Sequence, residues 1–85
     1  MRLLDTFNLG VDTSVGRISG ELWSDGLLGI ASPIRDVEVE GFRDVAALRD
    51  ALTEVGVPDD EATAVADAVW ADGLGKFVER HLYRG

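Results

Sequence analysis

Apolar residues in the first half of the chain come in short runs separated by turn-forming pairs, and in the second half they recur every three or four residues. The change falls near Gly41, with no Pro-, Ser- or Gly-rich linker around it. A period near two predicts strands and a period near 3.6 predicts helices. We therefore read one domain over residues 1–85, β-rich over 1–41 and helical over 42–85. No internal repeat and no low-complexity tract interrupts it.

Asp25-Gly26 is the clearest hairpin signal, because this pair tolerates the positive φ values of a type I′ turn. A two-residue loop there sets Ser24 against Leu27, Trp23 against Leu28 and Glu21 against Ile30. One face then carries Trp23, Leu28, Ile30 and Ile34, and the other Ile18, Gly20, Leu22, Gly29 and Ala31. Both faces are mainly apolar, so the second is left for another backbone or helix to approach closely at Gly20, Gly29 and Ala31. Pro33 lacks a donor N–H and places its strand at an edge or an end. Asp36-Val37-Glu38-Val39-Glu40 alternates strictly, which predicts a half-buried strand whose outward acids discourage pairing with another chain. The first eleven residues, with Leu3, Leu4, Phe7, Leu9 and Val11, suit a strand or a short helix; we assign a strand.

Asp44 can cap a helix in which Val45, Leu48, Leu52 and Val55 form one stripe. Gly56 ends it in the left-handed conformation, Val57 folds back on Leu52, and Pro58 forbids continuation. A second helix starts at Asp59 or Asp60, where acids complement the helix dipole. Ala62, Val65, Ala66, Val69 and Trp70 give it a core stripe, and Ala64, Ala68 and Ala71 a small-residue face. Gly73 and Gly75 would cost a continuous helix about 2 kcal/mol, so a break is placed there before a short final helix. The expected fold is α+β: an antiparallel sheet of three to four strands over residues ~3–40, with helices over ~44–55, ~59–72 and ~76–83 packed on one face.

Composition narrows the chemistry. Sixteen Asp and Glu against eight Lys and Arg give a net charge of −8, which repels phosphate backbones and anionic headgroups. With no cysteine, neither disulfides nor thiolate metal sites can form. Met1 to Asp5 lacks the apolar stretch of a secretory signal, and nowhere do eighteen apolar residues run together. A cytoplasmic location is the default expectation, with no membrane and no nucleic acid among the expected partners.

Several short patterns invite a chemical reading, and each has a plainer one. The stretch from Leu48 through Gly56 to Val69 has the outline of a helix-turn-helix, but its second helix offers Asp59, Asp60, Glu61, Asp67 and Asp72 with no Arg, Lys, Asn or Gln. An αα-hairpin packing a core fits better. Val11-Asp12-Thr13-Ser14 resembles the active-site tripeptide of aspartic proteases, yet the chain is too short for such a lobe and the tripeptide also opens turns. Asp12 to Gly16 departs from a calcium loop, with Arg17 where the turn glycine belongs. His81 is the only histidine, so one chain builds no multi-histidine site. Lys76, Arg80 and Arg84 recur every four residues on the last helix, beside Phe77, Val78, Leu82 and Tyr83, and form a candidate docking stripe.

The function expected from these residues is a small, non-catalytic protein–protein interaction or assembly module, self-associating, without catalytic residues, metal or cofactor. Its interface candidates are Gly20, Trp23, Gly29, Ala31, Lys76, Arg80 and Arg84. The physical basis is that more apolar faces are present than one short chain can cover. The competing class is an acidic inhibitor or nucleic-acid mimic that binds a basic partner protein.

Overall fold

Alternating apolar and polar residues build the first strand, β1 (Thr6–Thr13), in the computed structural model, which describes residues 5–82. It is followed by β2 (Gly16–Trp23), β3 (Leu28–Ala31) and β4 (Asp36–Val39), joined as an antiparallel meander in the order β1-β2-β3-β4. Three helical segments follow: α1 (Val45–Glu54), α2 (Asp59–Val69) and α3 (Gly75–His81), the last two joined through a π-helical turn at Trp70–Leu74. The α+β class, the four strands and the following helices match the sequence reading, and the start of β1 resolves the first eleven residues in favour of a strand from Thr6 onward. Leu3 and Leu4 lie outside the described residues, as do Tyr83 and Arg84.

The central hairpin departs from expectation by one residue. Its loop is Ser24-Asp25-Gly26, closed by Trp23 N–H to the Leu27 carbonyl and by Gly26 N–H to the Trp23 carbonyl, both at 2.9 Å. Only Gly26 takes a positive φ, +96°, whereas a type I′ turn demands one from Asp25 as well. Asp25 instead uses its side chain, whose Oδ1 accepts from Leu27 N–H at 3.1 Å. The three-residue loop pairs Leu22 with Leu28 and Gly20 with Ile30. A one-residue slip exchanges the faces of a strand. Ile18, Leu22, Leu28 and Ile30 therefore share the inner face, and all four are buried. Gly29 and Ala31 turn outward, while Gly20 turns inward beneath Leu9. The expected second apolar face does not exist.

Helix ends obey the sequence closely. The Asp44 carboxylate accepts from Ala47 N–H at 3.0 Å and caps α1. At the other end Gly56 (φ +106°) donates to the Thr53 carbonyl and Val57 to the Leu52 carbonyl, satisfying two groups the helix leaves unpaired. The β3–β4 turn supplies more partners: the Ser32 hydroxyl donates to the Val55 carbonyl at 2.9 Å and Arg35 to the Glu54 carbonyl at 3.1 Å. This ties the sheet to α1 through its last carbonyls. The break expected near Gly73 is a kink inside continuous helical structure. Gly73 adopts φ +140°, and Gly75 N–H reaches back five residues to the Trp70 carbonyl.

The core gathers Ile18, Leu22, Leu28 and Ile30 from the sheet with Leu48, Leu52, Ala62, Ala66, Leu74 and Val78 from the helices. Each fully buried Leu, Ile or Val contributes about 1.5–3 kcal/mol of transfer free energy. Phe42, in the loop before α1, is also buried, its N–H held by the Gly26 carbonyl and its ring 6.4 Å from Trp70. Among the described residues no polar or charged side chain is buried.

Candidate interaction surfaces

The helices cover one face of the sheet and leave the other open. Cross-strand register sets two rows on that open face: Asn8, Glu21, Gly29 and Glu38, then Gly10, Ser19, Ala31 and Asp36. Small residues floor a shallow depression, with Glu21, Asp36 and Glu38 at its rim. A Cβ added at Gly29 would meet nothing within 4 Å. Gly10 lies under the Arg17 guanidinium, which pairs with Asp12 at 3.1 Å. The middle of this face is small, polar and acidic. Among the described residues, the large hydrophobic side chain that stays exposed is Ile34, at 73%.

The two edges of the sheet differ in kind. β4 is four residues long and carries Asp36 and Glu38, with Glu40 just beyond. Charges on a short strand guard an edge against further pairing. β1 is eight residues long, with no proline and one ionisable side chain, Asp12, already paired with Arg17. The ladder fixes which backbone groups of β1 face outward. Trp23 N–H bonds toward β3, and Ser24 N–H bonds the Asp5 carbonyl at 2.8 Å. Along an antiparallel pair the bonded residues alternate. Phe7, Leu9 and Val11 therefore bond inward to β2, and Asn8, Gly10 and Asp12 present their N–H and C=O groups outward. On the helix side of the sheet, Leu9 and Val11 are half-buried and stand outside the packed core cluster.

The sequence-derived candidates are scattered over the structure. Gly29 and Ala31 stand together on the open face, and half-buried Trp23 pairs with Thr6 at one end of it. Gly20 faces the core, opposite to them. Lys76 and Arg80 are exposed on α3, but the apolar neighbours expected to serve a docking stripe are engaged: Val78 is buried, and Phe77 and Leu82 pack against the core. Arg84 lies outside the described residues. His81 is half-buried, its ring 4.5 Å from that of Phe77 and its Nε2 3.5 Å from Asp5 Oδ2.

One polar junction has no sequence signal. Glu61, in the first turn of α2, accepts the Ser14 N–H at 2.9 Å and the Ser14 hydroxyl as well, which anchors the β1–β2 turn to the helix. The Ser14 hydroxyl and, after it, the Ser14 amide hold the Glu61 carboxyl below its ordinary value of 4.5. The two residues are 47 positions apart, so nothing local could reveal the pair. No described helix is long and apolar enough to cross a membrane, and among the described residues no group of three or more His, Asp or Glu is placed to hold a metal ion. No family model, curated protein or solved structure matches the chain.

Proposed function

We propose that the protein is a small, non-catalytic protein–protein interaction module that accepts an added strand at the outer edge of β1. The observation that carries this reading is the contrast between the sheet's two edges: β4 is short and acidic, and β1 is long, unguarded and backed by the half-buried Leu9 and Val11. An exposed edge of this kind is a template for main-chain hydrogen bonding, and side chains at alternate positions supply selectivity. A cysteine-free chain suits the reducing cytoplasm as the place of action.

A phage-displayed library of unstructured peptides, selected against the purified protein, tests the reading. Selected peptides should shift the amide resonances of Asn8, Gly10 and Asp12, and should bind Asn8→Pro about tenfold more weakly, because the proline removes one outward donor and leaves the β1–β2 ladder intact. Binders indifferent to that substitution, or no binders at all, would count against strand addition.

A second reading is supported by the open face, where Glu21 and Glu38 flank Gly29 on a chain of net charge −8. It makes the protein an acidic binder of a basic partner. Peptides selected on that basis would be rich in Lys and Arg, would weaken steeply with salt, and would be lost on Glu21→Gln with Glu38→Gln.

A further inference from the structure

We infer that the strand added at β1 is β1 of a second copy, paired antiparallel about Leu9 to make an eight-stranded sheet across a two-fold axis. This rests on the strand-addition reading and names its partner. The backbone sets the first constraint. Only residues with outward N–H and C=O groups can exchange bonds across the seam, and on β1 these are even-numbered: Thr6, Asn8, Gly10 and Asp12. A two-fold seam must therefore match even with even and odd with odd, which keeps each side chain on its own face of the sheet. Centring on Leu9 pairs Asn8 with the second copy's Gly10, and Thr6 with its Asp12. On the helix side, Leu9 then meets its own symmetry mate and Phe7 meets Val11, so the half-buried apolar rim of each sheet continues into the other. Such cross-strand apolar pairs are the unit of sheet stabilisation.

Charge opposes a second copy least at β1. Two chains of net charge −8 repel, and a β4–β4 seam would bring together strands that each carry Asp36 and Glu38. Along β1 the one acid, Asp12, is neutralised within its own chain by Arg17 at 3.1 Å, and in the Leu9-centred register it lies opposite a threonine. The partner is thus fixed by self-complementarity: one strand reads polar on one face and apolar on the other, and its twin reads the same.

The chain's lack of cysteine makes the test direct. At the axis the two Leu9 residues form a non-hydrogen-bonded pair, with Cα atoms about 4.5 Å apart, inside the range that a disulfide spans. Two Val11 residues would be displaced by four positions, about 13 Å. Light scattering should give twice the 9.1 kDa chain mass, with the dimer persisting as salt rises. Leu9→Cys should oxidise to a covalent dimer, Val11→Cys should not, and Asn8→Pro should shift the wild-type dimer to monomer. The light-scattering measurement needs no substitution, so a variant that folds poorly does not decide the matter. A wild-type chain that is monomeric at every concentration, a dimer untouched by Asn8→Pro, or equal cross-linking at positions 9 and 11 would overturn the inference. A monomer that still selects Asn8→Pro-sensitive peptides would sink the second copy alone and leave strand addition standing.

Discussion

At the scale of single residues, the Ser14–Glu61 junction is the contact whose chemistry can be tuned from outside. One carboxylate receives both an amide and a hydroxyl proton from the tip of the first hairpin. Its folded-state pKa is depressed, so the ionised form is favoured by folding. The stabilisation is fully present above the unfolded value near 4.5 and is lost as pH falls through the lower folded value. Glu61→Gln should therefore flatten part of the acid limb of a stability profile measured by urea unfolding from about pH 7 to about pH 3. An unchanged slope would mean that Ser14 does not hold the charged form. This pair was illegible in the sequence because its members meet only through the tertiary fold. Phe42 was missed for a related reason: a lone aromatic two residues before a helix cap has no periodic partners to mark it as core.

At the scale of elements, glycine separates turns that need it from strands that tolerate it. Gly73 holds φ +140° inside the π-helical turn, and a Cβ there would lie 3.2 Å from Phe7 Cε2. Gly73→Ala should cost about 1–3 kcal/mol, from a residue forced into sparsely populated backbone space. Gly29→Ala should be neutral or stabilise by up to about 1 kcal/mol, since its added methyl meets open solvent and the unfolded chain loses freedom. Thermal unfolding of the two variants measures the contrast, and a reversed order would contradict the backbone description. Elements with local punctuation were readable: Asp44 opens α1, Gly56 and Pro58 close it, and Gly73 kinks the helical stretch between α2 and α3. The hairpin register was not. Asp-Gly permits both a two-residue and a three-residue loop, and the choice was decided by where Ile18, Leu22, Leu28 and Ile30 could be buried together.

At the scale of the whole molecule, net charge dominates. Eight uncompensated negative charges on 85 residues repel one another across the surface, and the described Arg–acid pairs, Arg17–Asp12 and Arg49–Asp50, are exposed and weak. Raising NaCl from about 0.01 M, where screening reaches ~30 Å, toward about 1 M, where it reaches ~3 Å, should raise the thermal midpoint. A fall would show that attractive pairs outweigh the general repulsion. Fold class was legible at this scale because strand and helix periods divide cleanly at Gly41. The surplus of apolar surface was not real: once the hairpin register shifts by one, the inner face takes the large aliphatic side chains and the outer face keeps mainly small, polar and acidic residues, with Trp23 at one end. The first strand and the last described helix close on each other. Phe7 on the first strand rests against Phe77 on the last helix, and Asp5 reaches His81. A nascent chain leaving the ribosome can zip its meander strand by strand, since each strand pairs with the one just made. Phe7 lacks its Phe77 partner until α3 emerges, so synthesis of that helix completes the packing around β1.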